Sequence, residues 1–330
     1  MNRNDNRSGE LYTWLLRITT LCLMLLVGWN AGRTLYQKKE LHWKPNDSRL
    51  KVLTTIFPLY DMARVIGGDN VQVMNLLPPG TDPHEFSLSP ADMTRAAGAD
   101  VMIINGSGLD NYISKAFTNS HLLSCTPLDV SHGIPLLASS EKEDGVAQEK
   151  NDTHSGDPHL WMDPEYARIY AARITTELIR AEKQRNASDE TLSSIKLRGS
   201  QYDSRLASLS RQYRLRTSRL TSRSFIAFHG AYRYLAARYN LNVAAVWQST
   251  PGREPAPGEV GALIRMVKTS KVRALFSEPE FSTRAIEIIG KDCNLPVYRL
   301  DPVETAEDFS KAHYVDIMQQ NLDTLVKGLK

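Results

Sequence analysis

The chain has 330 residues, of which 42% are hydrophobic and 23% are charged, and its formal net charge is +3. This composition is typical of a globular protein, and the length predicts more than one domain. The small net charge argues against nucleic acid as a partner, because proteins that bind nucleic acid carry clustered lysine and arginine. Three cysteines are too few for a disulfide framework.

The first 35 residues differ in character from the rest of the chain. An apolar run at 18–29 follows three arginines, which is the arrangement of a signal peptide. The run is shorter than the ~20 apolar residues of a membrane-spanning helix. We therefore predict export, with residues 1–35 either removed as a signal peptide or kept as an N-terminal membrane anchor. Residues 36–50 then form a polar tether.

Strand and helix signals alternate after the tether. Short β-branched or apolar segments predict strands at 51–57, 71–77 and 101–105. Helical patterns follow these strands at 59–66, from Ser89-Pro90 onward, and at 106–117. The segment 101–105 is apolar until its last residue, as expected of a parallel strand that is covered on both faces. This alternation predicts a doubly wound α/β lobe over residues 51–163.

The second half of the chain repeats the alternation. Two long helical patterns come first, at 164–182 and at 189–219, and residues 164–185 are predicted to form a linking helix. A second α/β lobe is predicted over residues 186–330. Its strands are expected at 224–228, 241–247, 273–276 and 297–300, and its helices at 231–239, 257–269, 282–290 and 307–329. The predicted fold is therefore two doubly wound α/β lobes joined by a long helix, with the ligand site in the cleft between them.

One internal stretch lacks a structural pattern. Residues 139–157, SSEKEDGVAQEKNDTHSGD, contain almost no apolar side chains, so burial cannot offset the entropy of ordering them. We expect this stretch to be mobile.

Three of the eight histidines lie where side chains face a crevice. His84 lies in a proline-rich loop after a predicted strand, His159 directly precedes a helix, and His229 ends a strand. Asp301, in Leu300-Asp301-Pro302, also ends a strand. Three imidazoles and one carboxylate make a four-ligand site for a borderline cation such as Zn2+, and a bidentate carboxylate would suit Mn2+ or iron. His121, His132, His154 and His313 are interpreted as surface or capping residues, and His42 lies in the tether.

Other carboxylates are candidates for the same site. Glu278, in Ser277-Glu278-Pro279, either holds a histidine ring in one tautomer or replaces Asp301 as a ligand. Glu85 is a weaker candidate because it merely neighbours His84. Asp163 is a candidate for orienting His159 from the outer shell.

Several motifs, taken together and in order, resemble the metal-binding solute-binding proteins of zinc and manganese ABC importers (cluster A-I). They are IFPLYDMARVIGGD, LLPPGTDPHEFSLSPADM, ADVMIINGSGLD, DPHLWMDP, FIAFHGAYRYLAARYNL, LFSEPEF and YRLDP, and they extend over nearly all of residues 51–330. The resemblance implies two lobes joined by one long helix, with little closure. It places the metal ligands at His84, His159, His229 and Asp301.

The resemblance also implies a partner and a location. It predicts a periplasmic or otherwise extracytoplasmic protein that passes Zn2+ or Mn2+ to an importer permease and its ATPase. Two departures from the family pattern point in opposite directions. The internal stretch is acidic where many zinc-specific relatives carry a histidine tract, and His229 stands where manganese-type relatives carry glutamate. We take Zn2+ as the first choice.

Three other functions compete with import, and one of them, the binding of an organic solute on a similar fold, is disfavoured by the three histidines. A metal-dependent surface adhesin on the same fold is not separable from a transport protein by sequence. A zinc enzyme would need an open ligand position and a general base, with Glu278 as the candidate base. No H-E-x-x-H motif is present, and no glycine-rich phosphate loop occurs, so we predict a protein that is not an enzyme and whose partner hydrolyses ATP.

Overall fold

The computed structural model describes residues 43–44, 46–117, 125–138, 156–246, 257–270, 272–279 and 284–330. The predicted export segment and residues 139–155 of the low-complexity stretch lie outside this part of the chain. Across the described helices, none is both long enough and apolar enough to cross a membrane. Asn46–Lys330 forms one compact unit, in which Cys125 and Cys293 are free thiols.

The N-terminal lobe is built on a parallel sheet. Its four strands have the order β2-β1-β3-β4: β1 (Leu50–Thr54), β2 (Val71–Asn75), β3 (Val101–Ile104) and β4 (Leu128–Asp129). Helices follow the first three strands: α1 (Phe57–Gly67), α2 (Pro90–Ala97) and α3 (Asn111–Phe117). Every side chain of β3 is buried, as its apolar sequence predicts for a strand covered on both faces.

Local sequence explains where the second helix begins. The Ser89 hydroxyl accepts a hydrogen bond from the backbone N–H of Asp92, and the Asp92 carboxylate accepts one from the backbone N–H of Ser89. This reciprocal capping box satisfies two N–H groups that a helix start otherwise leaves unpaired, and Pro90 fits the first helical position. The predicted start is therefore confirmed.

Two long helices connect the lobes. They are α4 (Pro164–Gln184) and α5 (Asp189–Thr217). At Gly199 of α5, a Cβ atom would lie 2.5 Å from the hydroxyl of Thr175 on α4, so glycine allows the two helices to approach closely. The Arg198 guanidinium of α5 donates to the Ile66 carbonyl of the N-terminal lobe. Further along α5, the Tyr213 hydroxyl donates to the Met318 carbonyl of the C-terminal lobe. Contacts to both lobes therefore come from α5 as well as from the predicted linking helix.

The C-terminal lobe repeats the design of the first. Its four parallel strands have the order β6-β5-β7-β8: β5 (Ser224–Ala227), β6 (Asn242–Val246), β7 (Leu275–Ser277) and β8 (Val297–Arg299). Its helices are α6 (Arg233–Tyr239), α7 (Pro257–Thr269), α8 (Arg284–Cys293) and α9 (Tyr314–Leu329). Buried side chains of both lobes and of α4 and α5 form one continuous apolar cluster. The two-lobed α/β fold expected from the sequence is confirmed.

Two helices begin more than two residues later than predicted. The helix expected over 106–117 begins at Asn111, because Gly106, Ser107 and Gly108 adopt positive φ angles that a right-handed helix does not allow. The terminal helix, expected from 307, begins at Tyr314. The residues before Tyr314 follow another path, which bears on the functional site.

Candidate metal site

Four side chains direct their ligand atoms to one point between the lobes. The atoms are Nε2 of His84, His159 and His229, and Oε1 of Glu304. Their measured separations are 3.2 Å from His84 to His159, 3.3 Å from His159 to His229, 3.2 Å from His159 to Glu304, 3.2 Å from His229 to Glu304 and 3.4 Å from His84 to Glu304.

Five of the six separations match those of a tetrahedral metal site, and the sixth, between His84 and His229, is within 4.8 Å. With zinc bonds of about 2.0–2.1 Å, neighbouring ligand atoms of a tetrahedron lie about 3.3 Å apart. The donor set of three imidazole nitrogens and one carboxylate oxygen also suits Zn2+. The group can therefore hold a metal ion with little rearrangement.

The fold brings the three histidines together from different elements. His84 lies in the loop after β2, and its backbone N–H donates to the Asp82 carboxylate. His159 directly precedes a 3-10 turn at Leu160–Met162, and His229 follows β5. His229 and Glu278 follow the central strands β5 and β7, where the strand order of the sheet reverses. Such a switch point opens a crevice at the carboxyl ends of parallel strands.

Carboxylates behind two of the histidines fix the orientation of their rings. Nδ1 of His159 lies 2.8 Å from Oδ1 of Asp157, and Nδ1 of His229 lies 2.7 Å from Oε1 of Glu278. When Nδ1–H donates a hydrogen bond to the carboxylate, Nε2 keeps its lone pair for the metal. The Tyr232 hydroxyl also donates to Glu278 and so steadies that carboxylate. In the neutral rings, these hydrogen bonds therefore select the tautomer that a metal site needs.

The structure differs from the sequence prediction at the fourth ligand. Glu304, and not Asp301, joins the three imidazoles. Oδ1 of Asp301 instead accepts a hydrogen bond of 2.7 Å from the backbone N–H of Val303. This bond closes a turn in which Val303 has a φ of 60°, a strained value for a β-branched residue. Asp301 thus stabilises the turn that directs the next carboxylate, Glu304, toward the histidines.

The structure also shows where each of the remaining candidate carboxylates lies. Glu278 lies behind His229, which is the supporting position and not the place of Asp301. Asp163 caps α4 by accepting a hydrogen bond from the Glu165 N–H, and it forms an ion pair with Arg238. The carboxylate that contacts and orients the His159 ring is that of Asp157, and not that of Asp163. Glu85 is exposed and outside the group.

Of the five histidines outside the site, two lie in the described part of the chain and three do not. Among the described residues, His132 is exposed and His313 contacts Asp61, 3.2 Å away. The other three, at 42, 121 and 154, lie outside the described residues.

Charge interactions within the site are strong because the groups are buried. Burial opposes a charge on His159, but its hydrogen bonds with Asp157 and Glu304 outweigh burial and raise its pKa to about 9. Burial likewise opposes a charge on His229, and the carboxylates of Glu278 and Glu304 raise its pKa well above the usual value. The pKa of Glu304 lies well below its usual range, because the histidines outweigh its burial. Without metal, these shifts favour protons on the rings of His159 and His229, with which a metal ion must compete.

Sequence reasoning missed Glu304 and Asp157. Each follows a recognised candidate closely: Glu304 is three residues after Asp301, and Asp157 is two residues before His159. A signal for Asp157 was present, because an aspartate two residues before a ligand histidine can reach its Nδ1 atom. No comparable signal marked Glu304, since its direction depends on the turn at Val303.

Glu278→Gln is expected to weaken zinc binding by about tenfold and Glu278→Ala by up to about 100-fold, as is typical of residues that support a ligand. The amide of glutamine still accepts a hydrogen bond from His229 but lacks the charge, whereas alanine provides neither. Zinc affinity measured by competition with a chelator tests this expectation. Glu190→Gln changes an exposed glutamate in the first turn of α5 and serves as the matched control. Unchanged affinity in both Glu278 variants would show that Glu278 does not support His229.

Comparisons with known proteins agree with the fold and the site. The family model described as "ZnuA: Zinc-uptake complex component A periplasmic" matches residues 52–328. The zinc-binding lipoprotein AdcA of Streptococcus pneumoniae is 25% identical over 94% of this chain, which spans 60% of the length of that relative. The high-affinity zinc uptake system protein ZnuA of Bacillus subtilis is 26% identical, over 85% of this chain and 88% of its own length.

Solved structures show the same fold. A crystal structure of ZnuA superposes with a TM-score of 0.70 at 24% identity, covering 86% of this chain and 100% of that chain. The solute-binding protein FpvC of Pseudomonas aeruginosa, in complex with Mn2+, superposes with a TM-score of 0.69 at 25% identity, covering 86% of this chain and 98% of that chain. Because the family model matches most of the sequence, this chain belongs to the family of zinc-uptake complex component A, ZnuA.

Proposed function

We propose that this chain is an extracytoplasmic protein that binds Zn2+, or alternatively Mn2+, and delivers it to an ABC importer. The observation that carries the proposal is the convergence of His84, His159, His229 and Glu304, whose ligand atoms all lie within 4.8 Å of one another. We propose these four side chains as the ligands. The substrate is the metal ion itself, held reversibly without thiolates.

Zinc is the metal that the donor set favours. Imidazole nitrogen binds Zn2+ well, and at a given site Zn2+ binds more tightly than Mn2+. A tetrahedral arrangement with one carboxylate suits zinc, whereas Mn2+ prefers more oxygen ligands. Mn2+ remains the alternative metal, because the solute-binding protein FpvC, which shares this fold, has a structure in complex with Mn2+.

We propose an importer permease and its ATPase as the partners, which the family description as an uptake-complex component supports. The names of relatives as lipoproteins support a position outside the cytoplasmic membrane. We keep residues 1–35 as signal or anchor and 36–50 as tether. We also keep 51–163 and 186–330 as the two lobes, joined through 164–185. The importer and the N-terminal segment would then keep the protein at the membrane.

The geometry supports binding over catalysis. A catalytic zinc site keeps one coordination position open for water, with three protein ligands. Here Glu304 supplies a fourth ligand atom, and Glu278 is hydrogen-bonded to His229 and Tyr232. Both features favour a closed cage that stores and releases an ion.

The experiment is a metal titration of the purified full-length chain after stripping with a chelator. We expect one equivalent of zinc to bind tightly, manganese to bind more weakly, and His84→Ala, His159→Ala and His229→Ala each to weaken zinc binding. Elemental analysis and titration calorimetry provide the two readouts. Absence of metal binding, or binding that survives all three substitutions, would overturn the proposal. A protein that binds metal, fails to support importer-dependent uptake and binds to a surface target in a metal-dependent way would instead be an adhesin on the same fold.

A further inference from the structure

The segment that carries Glu304 packs against the other lobe. Residues 302–314, which we term the Glu304 strap, follow β8 of the C-terminal lobe. The Glu304 carbonyl nevertheless accepts a hydrogen bond of 3.1 Å from the backbone N–H of Phe57, at the first turn of α1. No side chain caps this helix start, so the strap satisfies an N–H that would otherwise lack an intrahelical partner. The backbone of Glu304 is thereby fixed to the N-terminal lobe.

Further contacts continue along the strap. The Thr305 hydroxyl accepts from the Gly80 N–H, in the loop that leads to His84. The ring of Phe309 lies 5.4 Å from that of Phe57 and 5.3 Å from that of Tyr60, measured between centroids. These contacts all join the strap to the lobe that holds His84.

The far end of the strap is held by one buried carboxylate. Asp61 of α1 is 1% exposed and contacts four polar groups, three of which donate to it, while the His313 ring donates in only one of its tautomers. The four groups are the Arg64 guanidinium at 2.7 Å, the Tyr314 N–H at 3.0 Å, His313 Nδ1 at 3.2 Å and the Tyr202 hydroxyl at 3.2 Å. A buried carboxylate with this many partners is costly to leave unpaired, so it specifies one position for the groups around it.

Arg64 extends the same anchor. Its guanidinium donates to the carbonyls of Ser310 and Ala312, at 3.3 and 3.0 Å, as well as to Asp61. Three consecutive parts of the strap are thus bound to α1: the Glu304 carbonyl, the Phe309 ring and the residues around Ser310–Tyr314. Asp61 itself does not belong to the group of candidate metal ligands.

We propose that Asp61, together with Arg64, is a positioning residue for the metal site and acts through Glu304. By holding the strap on α1, it keeps the Glu304 carboxylate in register with His84 and His159. The inference rests on the proposed function, in which Glu304 is a metal ligand. It means that Glu304, although it follows a strand of the C-terminal lobe, is placed by the N-terminal lobe.

A double-mutant cycle on the full-length chain tests this coupling. Zinc affinity is measured for the parent, Asp61→Asn, Glu304→Gln and the double variant. We expect Asp61→Asn to weaken zinc binding by on the order of tenfold when Glu304 is present. In the Glu304→Gln background we expect no further change, because the ligand that Asp61 positions is already lost. The visible spectrum of bound Co2+ is expected to change in Asp61→Asn toward that of Glu304→Gln.

Controls separate positioning from general destabilisation. Asp316→Asn removes a carboxylate of α9 that pairs with Arg205 at the surface, and it should leave zinc affinity unchanged. Arg64→Met removes the two carbonyl contacts from a partly exposed side chain, and it provides a second test if Asp61→Asn does not fold. Circular dichroism and thermal unfolding of the metal-free proteins report folding separately.

The outcomes distinguish this inference from the proposed function. If the parent binds no metal, the proposed function fails. If the parent binds zinc but Asp61→Asn and Arg64→Met weaken binding equally with and without Glu304, the positioning role is overturned. The role is likewise overturned if neither variant changes the affinity or the Co2+ spectrum.

Discussion

Replacing Glu304 by glutamine is expected to weaken zinc binding on the order of 10²–10³-fold. Four-ligand zinc sites bind with about 10–16 kcal/mol in total, so one ligand contributes about 2.5–4 kcal/mol. Glutamine has nearly the shape of glutamate but lacks the charge that offsets the cation. Competition with a chelator of known affinity measures the loss.

The matched control is Asp301→Asn. Asparagine retains an oxygen that can accept the hydrogen bond from the Val303 N–H, so the turn before Glu304 should persist. Zinc affinity is therefore expected to change little. The opposite pattern, with Asp301→Asn severely impaired and Glu304→Gln nearly unaffected, would restore Asp301 as the ligand and contradict the geometry of the site.

Acidification is expected to release the metal over a range in which most proteins stay folded. An imidazole must lose its proton before Nε2 binds a metal, and the metal-free pKa of His159 is about 9. Below that pH, each proton that zinc displaces lowers the apparent affinity about tenfold per pH unit. The pKa of His229 is raised as well, by the carboxylates of Glu278 and Glu304, so a second proton competes with zinc as the pH falls. Between about pH 7.5 and about pH 5.5 the affinity should fall on the order of 10²–10⁴-fold.

Glu304 does not contribute to this loss, because its lowered pKa keeps the carboxylate ionised over the same range. Calorimetry in buffers of different ionisation enthalpy should show that zinc binding near neutral pH releases between one and two protons. In Glu304→Gln, one of the partners that raises both histidine pKa values is lost, so fewer protons should be released. An affinity that does not vary with pH would contradict this account.

The sequence identified the histidines because their positions follow from local signals. A strand that ends in a histidine and is followed by a helix, as at His229, places that histidine at the carboxyl edge of a parallel sheet. The alternation of strands and helices predicted the two lobes in the same way. The short strand β4 (Leu128–Asp129) was missed because two residues carry no periodicity.

The carboxylates were harder to predict, for a physical reason. Asp301 and Glu304 both follow β8, and spacing alone does not reveal which one faces the cleft. The choice depends on the strained φ of Val303 and on the docking of the strap against α1, which is a contact between residues about 250 positions apart. The same docking delays the start of the terminal helix to Tyr314. Sequence pattern describes neighbours along the chain, whereas these features depend on tertiary packing.

The continuous apolar cluster that runs through both lobes determines how metal binding affects the stability of the whole unit. Because the two sheets share their buried side chains with the helices between them, we expect Asn46–Lys330 to unfold as one cooperative unit. A ligand that binds the native state alone contributes about 4 kcal/mol at a thousand times its dissociation constant. Because the unit is expected to unfold as a whole, this increment raises the free energy of unfolding of every part of it, including segments far from the ion. The loaded and empty forms would therefore differ in lifetime against proteolysis wherever cleavage requires this unit to unfold, and the supply of metal would affect how long each copy persists.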